Sequence, residues 1–141
     1  MAGFKRVSGD DRGFQKFTIS SITVAVGDLL AFDRANEVAI LATSSTSLED
    51  LAGVAVEAKT TSDTTVLAQR ITADDEFIVD TTNNSSTAHN YHRMVLTDEN
   101  AVNNTGTDST SDAAVFMQIA PVGDVADKKI RGRFNLSVDR A

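Results

Sequence analysis

Cysteine and tryptophan are absent from this sequence of 141 residues, and proline occurs once. Without cysteine the chain forms no disulfide, offers no thiol nucleophile and binds no cysteine-ligated zinc or iron–sulfur cluster. Aromatic residues make up 6% of the chain, which leaves few rings for stacking on bases or sugars. No apolar run approaches the roughly 18 residues of a membrane-spanning helix, and the first residues do not predict a secretory signal. We therefore expect no membrane partner.

Charge is distributed unevenly along the chain. The formal net charge is −7, which argues against a general nucleic-acid binder. Residues 1–20 carry an excess of two positive charges and residues 125–141 an excess of three, so the stretch between them carries −12. This asymmetry is either incidental to a soluble surface or places basic ends against an acidic surface. That surface belongs to a partner or to a neighbouring copy of the chain.

Apolar residues recur in short segments separated by turn-forming residues, at intervals of about 8 to 14 residues. Alternation of apolar and polar positions is clear over 22–26, 54–58 and 129–136. No helical period persists beyond two turns. The pattern predicts one mainly β domain, a small antiparallel β-barrel or sandwich, with long polar loops at 80–90 and 98–112.

The first residues predict an extended N-terminal arm over 1–20 that precedes a β domain over 21–141. Residues 1–13 contain three glycines and several charged residues, and only Phe4 and Val7 are large and apolar. A frayed terminus is the alternative interpretation. As contacts of the arm with a capsid or a neighbouring subunit, we predict Phe4 and Val7 as apolar anchors and the cations Lys5, Arg6 and Arg12 as charge contacts. Deletion of residues 2–13 should then spare the fold and weaken binding.

The final predicted strand carries its charges on one face. Alternation places Lys129, Arg131 and Arg133 opposite apolar residues, because side chains of a strand point to opposite faces in turn. Two interpretations stay open: cations that protect an edge strand from unwanted pairing, and a face that binds a capsid or a neighbouring subunit.

Side chains with catalytic or metal-binding chemistry form no recognisable motif. His89 and His92 are three residues apart, but they border a polar loop, and a zinc site needs three or four ligands. The acidic run Asp74-Asp75-Glu76 is interpreted as a solvated turn. No serine lies in a nucleophile-elbow motif and no glycine-rich phosphate loop occurs. We therefore expect no enzyme activity, no cofactor and no metal.

Five segments are marked by turn glycines or apolar alternation: 23–33 (TVAVGDLLAFD), 38–42 (VAILA), 51–56 (LAGVAV), 75–79 (DEFIV) and 129–135 (KIRGRFN). In these features they resemble the small β-barrel proteins that decorate the heads of tailed bacteriophages. Glu76 stands where that family usually has a glycine or a polar residue.

This resemblance implies a structural virion protein on the capsid surface, which binds the outside of the shell and stabilises it. Its partners would be the major capsid protein and neighbouring copies of itself in a homo-oligomer, for which a trimer is one arrangement. The composition also suits another phage structural part, such as a tail tube, a connector or a head-fibre base. A carbohydrate-binding module fits less well, because sugar platforms usually need exposed rings.

Overall fold

The protein forms two β-sheets joined by short turns, as seen in a computed structural model that describes residues 3–9, 13–72, 74–105 and 108–135. The strands are β1 (Lys5–Ser8), β2 (Phe14–Thr18), β3 (Leu29–Asp33), β4 (Val38–Leu41), β5 (Leu51–Ala55), β6 (Thr65–Gln69), β7 (Glu76–Thr81), β8 (Arg93–Met94), β9 (Leu96–Asp98), β10 (Ala101–Val102), β11 (Phe116–Pro121) and β12 (Lys129–Phe134). Single turns of 3-10 helix lie at Leu48–Asp50, Thr87–His89 and Val125–Asp127. The predicted mainly β fold is confirmed.

The first sheet has five strands in the order β2-β6-β5-β3-β4, and all its pairings are antiparallel. Its two outermost strands, β2 and β4, lie close to each other, so the sheet curls into a barrel-like shape. Small and branched apolar side chains fill the interior of this curled sheet: Ile19, Val24, Leu30, Ala39, Ala55, Val66 and Ala68. Their modest size suits a narrow interior.

The second sheet is organised around β7, which has a partner on both edges. β12 pairs with one edge of β7 over residues 76–80. The other edge is shared by β1, which pairs antiparallel near the start of β7, and by β10, which runs parallel near its end. The remaining strands follow in the order β8-β11-β12 on one side and β10-β9 on the other.

A shared core joins the two sheets. Four phenylalanines lie at its centre, and the ring centroid of Phe4 is 5.5 Å from that of Phe116 and 5.0 Å from that of Phe134. Phe77 stands edge-on to Phe134, with ring centroids 5.2 Å apart. Leu29 from the curled sheet packs into the same cluster. Because neighbouring strand residues point to opposite faces, Leu29 faces this core while Leu30 faces the interior of the curled sheet.

The prediction of a separate N-terminal arm is wrong for the described residues. β1 belongs to the second sheet and β2 to the first, so no boundary at residue 20 divides an arm from a domain. Phe4 is 2% exposed, and its N–H donates to the carbonyl of Gly27 at 2.8 Å. The physical reason is that an aromatic ring gains more by filling the core than by staying in water. Deletion of residues 2–13 would remove this ring, so the expectation that the deletion spares the fold is also corrected.

Two further expectations differ from the structure. Residues 22–26 form a single bridge, between Val24 and Lys59, instead of a strand. Ser21 has a positive φ of 55°, and a turn already begins at Ala25, whose N–H donates to the Asp28 carboxylate at 2.9 Å. Between these two turns, only Val24 pairs with another part of the chain as a strand residue would. The predicted loop over 98–112 contains β10, because Ala101 and Val102 pair with the end of β7, beyond the residues that pair with β1.

Replacing Phe4 by alanine should destabilise the protein by about 3–5 kcal/mol, because it opens a cavity among four packed rings. Urea unfolding measures the change. Phe14→Ala is the matched control, since Phe14 is 54% exposed on β2 and its loss should cost less than about 1 kcal/mol. Equal stability of wild type and Phe4→Ala would contradict the core position of this ring.

Candidate interaction face

The outer side of the second sheet carries most of the residues singled out in the sequence. Phe77 and Val79 of β7 point into the core, so the residues between and beside them point outward. Cross-strand partners share a side of the sheet. We call the outward set the cationic face, and it consists of Lys5 on β1, Glu76, Ile78 and Asp80 on β7, and Lys129, Arg131 and Arg133 on β12.

The register between β7 and β12 places each cation of β12 opposite an outward-pointing residue of β7. Lys129 is opposite Asp80, and its ammonium donates a hydrogen bond to that carboxylate. Arg131 and Arg133 both donate to Glu76, the latter from Nη2 to Oε2 at 3.1 Å. The predicted placement of the three cations on one strand face is confirmed. Their intramolecular carboxylate partners were not predicted.

Glu76 is the electrostatic centre of the cationic face. Its side chain is 14% exposed and accepts hydrogen bonds on both oxygens. The hydrogen bond from Arg131, assisted by that from Arg133, lowers the pKa of the Glu76 carboxyl below its ordinary value of 4.5. The two guanidinium groups are thus held side by side by one anion. The interpretation of residues 74–76 as a solvated turn is wrong for Glu76, and also for Asp75, which is fully buried.

The cationic face has the opposite sign to the rest of the protein. On the outer side of β1, β7 and β12, four cations stand against two carboxylates, which leaves an excess of two positive charges on these three strands of a chain whose net charge is −7. Charges of one sign on one side of a protein attract and orient a partner of the other sign. The side chains of Lys129, Arg131 and Arg133 remain partly exposed, between 37% and 44%, so a partner can reach them.

Gly132 keeps the backbone of this face close to its neighbour. A Cβ at this position would lie 2.2 Å from the carbonyl oxygen of Met117 and 2.6 Å from the Phe116 ring. Only glycine therefore fits between the two arginines at this strand separation. On the inner side of β12, close packing against β11 requires Gly132. On the outer side, the arginines before and after it point in the same direction and share Glu76.

The five residues predicted as arm contacts have different positions. Lys5 lies on the cationic face, and Val7 is 43% exposed on the same strand. Phe4 is a core residue, so its prediction as a contact is wrong. Arg6 lies with its Nε 3.6 Å from a carboxylate oxygen of the buried Asp75, and the contact predicted for it stays a prediction. Arg12 lies outside the described residues.

The two histidines lie side by side next to the Thr87–His89 turn, with ring centroids 5.7 Å apart. In the described part of the chain, no group of three or more histidine, aspartate or glutamate side chains is close enough to hold a metal ion. Nearby, the Arg93 guanidinium donates two hydrogen bonds to the Asp108 carboxylate, from Nε at 3.1 Å and from Nη2 at 2.7 Å. These bonds lower the pKa of Asp108 to about 2 and fix the second polar loop against β8.

Sequence analysis missed the roles of Glu76 and Asp80. The signal was the complementary alternation of the two strands, with carboxylates at 76 and 80 and cations at 129, 131 and 133. Alternation alone does not show which strands are neighbours, because β7 and β12 are about 50 residues apart in the chain. Their adjacency follows from the sheet order.

Replacing Glu76 by glutamine should lower the free energy of unfolding at pH 7 by about 1–2 kcal/mol, because the amide cannot accept charge-assisted bonds on both sides. The lowered pKa means that the carboxylate stabilises the fold above pH 4.5, and this stabilisation is lost as the pH falls through the folded-state pKa. Wild type and Glu76→Gln should therefore converge in acid. Urea unfolding between pH 7 and pH 3 measures both effects.

Glu37→Gln is the control, because Glu37 is exposed in a turn on the other sheet. It should change stability by less than about 0.5 kcal/mol at every pH. If the difference in free energy of unfolding between wild type and Glu76→Gln persists unchanged in acid, the stabilisation does not come from the ionised Glu76 carboxylate.

Within the residues that the structure describes, no helix has the length and apolar character needed to cross a membrane. No protein-family model, curated protein or solved structure matches the chain.

Proposed function

We propose that this protein is a non-enzymatic structural component of a phage virion, which binds the outside of the capsid shell and stabilises it. The observation that carries the proposal is the cationic face, an electropositive sheet surface on an otherwise acidic chain. The resemblance of several segments to head decoration proteins supports the same conclusion. The partners would be the major capsid protein and neighbouring copies of this chain.

The structure of the face suits binding by many weak contacts. The cations lie on a paired strand, so little conformational entropy is lost when a partner binds them. Each exposed charge contact contributes less than about 1 kcal/mol. Copies that also contact one another on a shell hold each contact at high effective concentration, and the sum then gives strong retention.

A tail tube is the main alternative, and it would be favoured by a long mobile hairpin over residues 80–112. In the described part of this segment, the Thr87–His89 turn, three short strands and the Arg93–Asp108 pair fix the chain to the second sheet. This observation favours the capsid proposal over the tube.

The proposal is tested by co-sedimentation with expanded shells of the source phage that have been stripped of accessory proteins. Saturable binding at a fixed ratio to the shell protein is expected, with affinity that falls as salt rises, because salt screens exposed charges. Self-assembly into rings or tubes without shell binding would favour a tail component. If the protein neither binds the shells nor assembles with itself, the proposal is overturned.

The double variant Arg131→Gln/Arg133→Gln should bind the shells about tenfold more weakly, since two lost surface charge contacts are together worth about 1–2 kcal/mol. Glutamine retains hydrogen-bond donors toward Glu76, which limits the loss of stability. The matched control is Lys16→Gln/Arg34→Gln, which removes the same charge from the first sheet and its turn. If the melting temperature of the first variant falls while its shell binding equals that of the control, the face has a structural role only.

A further inference from the structure

A groove crosses one end of the cationic face. It has a volume of about 410 Å³ and is lined by Gly3, Lys5, Ile78, Val79, Val122 and Lys129. β7 forms the floor, because it lies between β1 and β12. Ile78 points outward from this floor, and Val122, which follows β11, adds a second apolar side chain. The groove is thus apolar at its base.

One lysine stands on each side of the groove. Lys5 belongs to β1 and Lys129 to β12, so their backbones are separated by two strand spacings, about 10 Å. The Lys129 ammonium gives one of its three donors to Asp80 and keeps two. Lys5 is exposed and, among the described residues, has no carboxylate partner. Two ammonium groups with unused donors therefore flank an apolar floor.

The outer edge of β1 lies on the far side of Lys5 from the groove floor, and just before this strand the Phe4 N–H donates to the Gly27 carbonyl. β1 pairs with β7 on one edge, and no strand in the described part of the chain pairs with its other edge. An extended peptide can add to such an edge through its main chain and place alternate side chains on the adjoining surface. A strand laid beside β1 would project every second side chain on the side where the groove lies.

These three features define one ligand chemistry. An inorganic anion would pair with the lysines but leave the apolar floor in water, and a wholly apolar segment would cover the lysines without an acceptor. A carboxylate beside an aliphatic side chain satisfies both surfaces. We infer that the groove binds an extended segment of the partner protein in which a glutamate or aspartate stands two positions from an aliphatic residue, so that both side chains face the groove. The identity of that partner as the shell protein rests on the proposed function, whereas the ligand chemistry does not.

The inference is tested in solution with the peptide Ac-Leu-Ser-Glu-Ser-Leu-NH2, whose leucines and glutamate share one side when extended. We expect NMR chemical-shift changes at Lys5, Ile78 and Lys129, and binding about fivefold tighter than that of the same peptide with glutamine. Lys5→Gln should remove this preference for glutamate. Lys16→Gln, which removes one exposed lysine from β2, should retain it.

Ile78→Thr tests the apolar floor while keeping a β-branched residue in β7. It should weaken the glutamate and glutamine peptides by the same factor, and urea unfolding confirms that the variant is folded. Binding of inorganic phosphate at the glutamate peptide's affinity would overturn the inference in favour of a simple anion site. If sedimentation velocity shows self-association that Lys5→Gln abolishes, the occupant is a second copy and the partner segment is excluded.

The two proposals fail in different experiments. If the shells bind the wild type but the peptide does not bind the groove, the inference is overturned and the proposed function stands. If the peptide binds and the shells do not, the proposed function is overturned and the groove accepts a segment of another partner. Unchanged shell binding by Lys5→Gln, together with weakened binding by Arg131→Gln/Arg133→Gln, would place the contact on the arginines and overturn a role of the groove in docking.

Discussion

The packing of Phe4 against Phe77, Phe116 and Phe134 is the contact on which the second sheet depends. It holds the first described residues against the core and so places β1 on the edge of β7. Once β1 lies there, strand alternation turns Lys5 outward beside Ile78. The charge pattern of the outer side is thus fixed by an apolar contact on the inner side. A terminus without this ring would lose the β1 wall of the groove.

The same alternation gives two neighbouring cations opposite environments. Lys5 points to solvent, whereas Arg6 points inward to the buried Asp75. A buried charge needs its partner, because removing one member leaves the other without compensation in a poorly solvated site. The exposed pairs of Lys129, Arg131 and Arg133 are screened by water and salt and contribute less. Arg6 therefore has its partner inside the fold, while the outer cations remain available for contact.

Carboxylates neutralise part of the positive charge of the cationic face and hold its cations in place. Glu76 holds two guanidinium groups in place and cancels one of their charges, and Asp80 does the same for one ammonium. Together with Lys5 on β1, the cations of β12 keep an excess of two positive charges, and the backbone of β12 is paired at both edges. Such a surface suits repeated, individually weak contacts with an acidic partner, which is the basis of the proposed role on a capsid.

The mainly β fold, the position of β12 and its one-sided cations follow from the sequence alone, because alternation within a strand is local and needs no knowledge of neighbours. It did not determine where residues 3–9 lie. Their glycines and charges resemble those of a free arm, but the segment pairs with an edge of β7 and places Phe4 among three phenylalanines of the core. The carboxylate partners of β12 were likewise decided by tertiary structure. Registers between strands about 50 residues apart depend on the packing of the whole sheet, which no local pattern encodes.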